Sequence, residues 1–114
     1  MTDSIKLIGN VASPYTRKMI AYLRYKRIPY EVIWGQPEDV LKKMNIEAPK
    51  PILLPVFILE RDGQAAAVTD STPLIREFEE KYPDRSVLPK DPALNFINFI
   101  LEDFGDEWCT KFMF

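Results

Sequence analysis

With 114 residues, 46% of them hydrophobic, and a formal net charge of −2, the chain has room for one domain and little more. Its nearly balanced charge excludes a broad nucleic-acid or polyanion surface. Histidine is absent and Cys109 is the only cysteine, which excludes a Ser-His-Asp triad, imidazole acid–base chemistry, cysteine- or histidine-built metal sites, an intrachain disulfide and a Cys-x-x-Cys redox pair.

Hydroxyls, carboxylates and backbone groups remain as the catalytic tools. No stretch is long and uncharged enough to cross a bilayer, and Met1-Thr2-Asp3-Ser4 lacks the basic start and apolar core of a signal peptide. The expectation is a cytoplasmic protein without metal, nucleic acid or membrane as partner.

Ile5, Leu7 and Ile8 form an apolar run of strand length that Gly9-Asn10 ends with turn chemistry. A helix then starts at Ser13-Pro14, because serine is a preferred N-cap and proline loses nothing at the first helical position. Tyr15, Met19, Ile20, Tyr22, Leu23 and Ile28 recur near helical spacing, while Arg17, Lys18, Arg24, Lys26 and Arg27 are expected to face water. An anion beside Ser13 would meet a hydroxyl and the positive end of this helix together.

Pro29-Tyr30-Glu31-Val32-Ile33-Trp34 alternates and is rich in β-formers, predicting a second strand parallel to the first through the helical crossover. Gly35-Gln36-Pro37 breaks it, and a weaker helix with a thin apolar stripe, Val40 to Met44, follows Pro37-Glu38-Asp39. This helix is expected to be the most mobile. Ala48-Pro49-Lys50-Pro51 reads as a loop, and Ile52 to Leu59 as a mostly apolar stretch in which Pro55 precedes a third strand, Val56 to Leu59. Asp62-Gly63 marks a hairpin turn, so the strands ending at Leu59 and running from Ala65 to Val68 are expected to be antiparallel, the alanine-rich one at the sheet edge.

Thr69-Asp70-Ser71-Thr72-Pro73 opens a third helix whose apolar face carries Leu74, Ile75, Phe78 and Tyr82, and Pro83 stops it. Residues 84–91 read as a linker. Asp91-Pro92 is a strong helix start, and Ala93, Phe96, Ile97, Ile100, Leu101, Phe104, Trp108 and Phe112 trace one apolar face of a helix predicted to run to the last residue. Large side chains of this kind are worth about 1.5–3 kcal/mol each when buried. They call for a cover: the first domain in part, a second copy of the chain, or a continuation.

The run from Leu7-Ile8-Gly9 through Ala12-Ser13-Pro14-Tyr15-Thr16-Arg17-Lys18-Met19-Ile20-Ala21 resembles the N-terminal, thioredoxin-like domain of cytosolic glutathione S-transferases, in the classes that use serine. It is also similar to the glutaredoxin Cys-Pro-Tyr-Cys motif with both thiols replaced, by Ser13 and Thr16. The resemblance covers residues 4–82. It implies an α/β, thioredoxin-like βαβαββα fold with a mixed four-stranded sheet over residues 1–83, and makes 92–114 the first helix of an incomplete all-α second domain. In such folds the proline before the third strand is cis, which sets the expectation for Leu54-Pro55.

The resemblance implies site roles as well. Ser13 would donate to the sulfur of glutathione, the backbone of Leu54 beside Pro55 would pair with its cysteinyl part, and Asp70-Ser71 would hold its γ-glutamyl ammonium and carboxylate. Aspartate stands here where the family more often has Glu or Gln. A cation near the segment before the proline usually meets the glycyl carboxylate; this chain has Ile52 and Leu53 there, so Lys50 or Lys42 is the expected replacement. Tyr15 is a further candidate. Lowering a thiol pKa of about 8.5 by two units needs about 2.7 kcal/mol. One hydrogen bond to a charged acceptor supplies about 1.5–3 kcal/mol, and the helix end adds to it. The implied activity is attack of the thiolate on an electrophilic small molecule, with glutathione as co-substrate and a homodimer formed through the last helix.

Each site residue also has a plainer reading. Ser13, Asp70 and Ser71 could be helix caps and nothing more, Arg17 a solvated charge, and Trp34 and Trp108 core or interface residues. A non-catalytic thioredoxin-like binding or dimerisation module is the alternative function. A thiol–disulfide oxidoreductase is disfavoured, since neither Ser13 nor Thr16 can form a mixed disulfide.

Overall fold

A computed structural model describes residues 5–109 and 111. The elements in chain order are β1 (Ile5–Gly9), α1 (Pro14–Lys26), β2 (Tyr30–Trp34), α2 (Pro37–Lys43), β3 (Val56–Arg61), β4 (Gln64–Val68), α3 (Ser71–Lys81) and α4 (Pro92–Asp103). One π-helical turn, Phe104–Trp108, continues α4. The four strands lie in the order β2-β1-β3-β4. β1 and β2 are parallel with Leu7 opposite Val32, whereas β3 runs antiparallel to both β1 and β4. This is the mixed, thioredoxin-like sheet that the element order implies.

Alternating side chains divide the core between the two faces of the sheet. Leu7 and Phe57 on one face pack with Met19 and Leu23 of α1 and with Leu74 and Phe78 of α3. On the other face Ile8 and Val56 meet Leu41 of α2. The short, thin helix therefore covers a small second core, and the two strongly amphipathic helices share the larger one.

Where β1 hands over to α1, the backbone is fixed by close approach. Thr16 is fully buried, and a Cβ on Gly9 would stand 2.4 Å from Thr16 Cγ2, a distance no side chain can occupy. The Asn10 N–H donates to Thr16 Oγ1 at 3.4 Å, and the Asn10 carbonyl accepts from the Ser13 N–H at 3.0 Å. Thr16 thus clamps the loop that carries Ser13. The Asp62-Gly63 turn has φ values of 52° and 78°, the left-handed pair that a two-residue hairpin needs.

Several expectations are corrected. Lys26 does not face water: its side chain is fully buried, with Nζ 3.4 Å from Glu79 Oε1 and bonded to the Tyr82 carbonyl. Helical spacing alone cannot see this, because Glu79 and Tyr82 reach Lys26 from α3. Lys18 is also half-buried. Trp34 is 51% exposed at the end of β2, an edge strand, and so belongs to no core. β3 begins at Val56, directly after Pro55 as expected, but the stretch before it carries two cis bonds, the expected Leu54–Pro55 and an unexpected Lys50–Pro51. α4 gives way to the π-helical turn at Phe104, beside Gly105, which has the poorest helix propensity after proline. Phe112 lies outside the described residues.

The buried cluster behind α1 has a pH signature. Burial pushes the Glu79 carboxyl up, but hydrogen bonds from Ser86, the Val87 N–H and Tyr22 and the charge of Lys26 outweigh it, holding Glu79 below the usual carboxylate range. Burial and the neighbouring Glu79 push the Tyr22 hydroxyl above its ordinary range, so it stays a donor, 3.0 Å from Glu79 Oε1. A carboxyl whose pKa is depressed by folding gives stability that is full above its unfolded value and lost as pH falls through the folded value. Thermal melts should therefore weaken below pH 4.5, the reference value for this group. Glu79→Gln should remove that acid dependence and, by leaving Lys26 buried without its counter-charge, cost about 3 kcal/mol at neutral pH.

Candidate functional site

A cavity of about 550 Å³ opens where four chain segments meet. Ser13 and Tyr15 come from the start of α1. Ile52, Leu53 and Leu54 come from the stretch before the cis Leu54–Pro55 bond. The start of α3 contributes Asp70, Ser71 and Thr72, and the π-helical turn adds Asp106 and Glu107. The predicted residues Ser13, Leu54, Asp70, Ser71 and Tyr15 therefore line one space, with Pro55 buried beside it. Lys50 is exposed and does not line the cavity; the same holds for Lys42.

Ser13 is a helix cap, and the cap leaves its proton uncommitted. It sits at φ −79° and ψ 120°, and its Oγ accepts the Thr16 N–H at 3.2 Å. A hydroxyl that accepts through a lone pair still has its O–H to donate. Among the described residues no hydrogen bond takes that proton. The capping bond fixes where the oxygen stands, and the hydroxyl can offer its hydrogen to an atom in the cavity.

Asp70 departs from the cap expectation. Its side chain makes no capping bond, and its backbone sits at φ 81° and ψ 115°, which strains a residue with a Cβ. Conformations of this kind cost about 1–3 kcal/mol and persist where the surrounding fold dictates them. Here the strained residue is exposed at the cavity rim, directly before the buried Ser71. The N-terminus of α3 adds unpaired N–H groups and positive potential suited to a carboxylate.

Lys18 and Asp106, two residues of this neighbourhood, escape sequence reading. Lys18 Nζ lies 2.8 Å from Asp106 Oδ2 and 3.0 Å from Glu102 Oε2, and donates to Ser71 Oγ at 3.3 Å. Tyr15 donates its hydroxyl proton to the Asp106 carbonyl. Lys18 and Tyr15 thereby fasten the end of α4 to the cavity wall. Lysine at a water-facing helical position gives no signal for this, and Asp106 lies 88 residues further along the chain.

Comparison with known proteins places the chain. Residues 7–86 match the sequence profile described as "Glutathione S-transferase, N-terminal domain". Glutathione S-transferase U6 of Arabidopsis thaliana is 29% identical over 106 residues, which cover 92% of this chain and 45% of that protein. The Tau class glutathione S-transferase of mango, Mangifera indica, superposes with a TM-score of 0.69 at 25% identity, over 94% of this chain and 48% of its own. A glutathione S-transferase of Methylobacterium radiotolerans, solved in complex with glutathione sulfonate, gives a TM-score of 0.66 at 28% identity, over 82% of this chain and 42% of that one. The chain spans about half the length of the relatives it matches.

Lys18→Met should release the end of α4. Partly exposed ion pairs contribute up to about 1 kcal/mol, so amide exchange across residues 102–108 should rise by about fivefold. Protection across β1 and β3 should be unchanged, as read by hydrogen–deuterium exchange.

Proposed function

Because the chain belongs to the glutathione S-transferase family, we propose that its cavity binds glutathione and that Ser13 stabilises the bound thiolate for attack on an electrophilic small molecule. The observation that carries this reading is the uncommitted Ser13 proton on the wall shared by Leu54, Asp70 and Ser71. The backbone of Leu54, beside cis Pro55, pairs with the cysteinyl part of the peptide. Ser71 and the α3 N-terminus receive the γ-glutamyl carboxylate, and Asp70 receives the ammonium. With the peptide so oriented, its sulfur faces Ser13.

The hydroxyl donates to sulfur without losing its proton. It stabilises thiolate over thiol, and no general base is needed. The thiol proton leaves to solvent. The sulfur lone pair then forms a bond to the electrophilic carbon, whose displaced electron pair goes to a leaving group or an adjacent acceptor atom. Residues 1–83 are the glutathione-binding domain in this proposal, 84–91 the linker, and 92–114 the opening helix of a helical domain. The working compartment is the cytoplasm. Among the described residues no helix is long and apolar enough to cross a membrane.

Ser13→Ala should raise the pKa of bound glutathione by about one to two pH units, read from the ultraviolet thiolate absorbance of the complex. An unchanged signal would refute the role given to Ser13. The alternative, a non-catalytic binding or dimerisation module, is favoured by α4. Phe96, Phe99, Leu101 and Trp108 are each more than half exposed, and the helix has no buried residue. Titration with millimolar glutathione separates the two readings, since shifts of the Ser13 and Ser71 amides are expected only for the first.

In either case a second copy is the proposed cover for the apolar surface of α4. Light scattering should then give about twice 13.3 kDa, and a monomer at high concentration would count against it.

A further inference from the structure

A serine that holds a sulfur can be no steadier than the loop that carries it. Ser13 Oγ accepts from the Thr16 N–H at 3.2 Å, its N–H donates to the Asn10 carbonyl at 3.0 Å, and its carbonyl accepts the Arg17 N–H at 3.2 Å. The residues just before it have no such embedding. Val11 is 60% exposed and Ala12 is exposed as well, so no core packing braces this part of the loop. Hydrogen bonds must brace it instead.

Two side chains supply them. Asn10 Oδ1 accepts the Ala12 N–H at 2.9 Å, and Arg17 Nε donates to the Val11 carbonyl at 3.2 Å. Asn10 does more than Arg17, because its main chain closes the turn too: its carbonyl takes the Ser13 N–H, and its own N–H reaches Oγ1 of the buried Thr16 at 3.4 Å. An asparagine oxygen that accepts from the N–H two residues on makes a local turn of its own and presets the backbone that follows. Asn10 is thus bonded to both members of the capping pair. It is nevertheless exposed and does not line the cavity.

A donor that favours thiolate over thiol has to be aimed, since a hydrogen bond weakens steeply once its angle opens. The Ser13 hydroxyl can lose its aim by rotation of the side chain, which the Thr16 N–H opposes, or by movement of the peptide before it. Asn10 opposes the second by holding Ala12. Resting on the reading of Ser13 as the thiolate donor, we propose that Asn10 is a positioning residue, whose side chain keeps the Ser13 hydroxyl directed at the sulfur and thereby sets the acidity of the bound thiol without touching the ligand. The arms of the peptide are unaffected, because Leu54, Asp70 and Ser71 come from other segments.

The test follows the ultraviolet thiolate signal of bound glutathione against pH in the unaltered protein, Asn10→Ala, Asn10→Ser and Ser13→Ala. Dissociation constants for S-methylglutathione, which has the same arms and no thiol to ionise, are measured alongside. Asn10 is exposed, so its replacement leaves the core intact. Asn10→Ala is expected to raise the pKa of the bound thiol by about half a pH unit, less than Ser13→Ala, because the donor is loosened and not removed. Its affinity for S-methylglutathione should stay within about twofold of the unaltered protein. Asn10→Ser, whose hydroxyl makes the same turn more weakly, should recover part of the shift. A thiol pKa unchanged in Asn10→Ala but raised in Ser13→Ala overturns the positioning role and leaves the Ser13 reading standing. Loss of S-methylglutathione affinity in step with the pKa shift makes Asn10 a general support of the cavity, which overturns the role as well. An unchanged pKa in Ser13→Ala, or no binding of glutathione at millimolar concentration, removes the donor reading and this inference with it.

Discussion

The hydrogen bond from the Thr16 N–H to the Ser13 hydroxyl oxygen is the constraint on which the site depends. It ends the loop, starts α1 and fixes one oxygen at the positive pole of a 13-residue helix. Thr16 can make it because its own side chain is locked into the core against Gly9, where no Cβ would fit. The turn after β1, the burial of Thr16 and the position of the Ser13 hydroxyl therefore form one mechanical unit. Capping and chemistry are not rival uses of this serine. The cap occupies a lone pair, and the proposed chemistry uses the proton.

The other walls of the cavity are held by longer-range contacts. Phe57 and Phe78 pack with ring centroids 5.6 Å apart, tying β3 to α3 across the main core. The start of α3 and the residue before the cis Pro55 both line the cavity. Asp70 is the point where the chain bears the geometric cost, with its φ of 81° at the exposed rim. On the far side of α1 the Tyr22, Lys26 and Glu79 cluster ties α1 to α3, and the Val87 N–H donates to Glu79 Oε1 at 3.1 Å, adding the linker to the same anchor. A buried lysine is tolerable there because its charge is met by a carboxylate and a carbonyl together.

Much of this was legible in the sequence because the signals are local. Ser13-Pro14, Asp62-Gly63 and Asp91-Pro92 each name a cap or turn by their own chemistry, and each lies where that chemistry predicts. The cis bond at Leu54–Pro55 is legible from the resemblance, not from propensity, and its neighbour at Lys50–Pro51 has no such guide. Lys18 and Lys26 depart from the water-facing expectation for a common reason. A lysine on an amphipathic helix looks solvated unless its partner is known, and the partners, Asp106 and Glu79, come from distant elements.

The C-terminal segment shows how a helix with no buried side chain can still finish a site. α4 contributes no buried side chain, so its apolar residues do not explain where it sits. Its position against the sheet domain is set by polar groups at its end: Glu102 and Asp106 on Lys18, and the Asp106 carbonyl on Tyr15. Those contacts are individually weak, since the Lys18 side chain keeps a quarter of its exposure. They act at the cavity, however, where Asp106 and Glu107 join residues from α1, the stretch before β3 and α3 in its lining. The charge of the cavity is thus decided jointly by two parts of the chain.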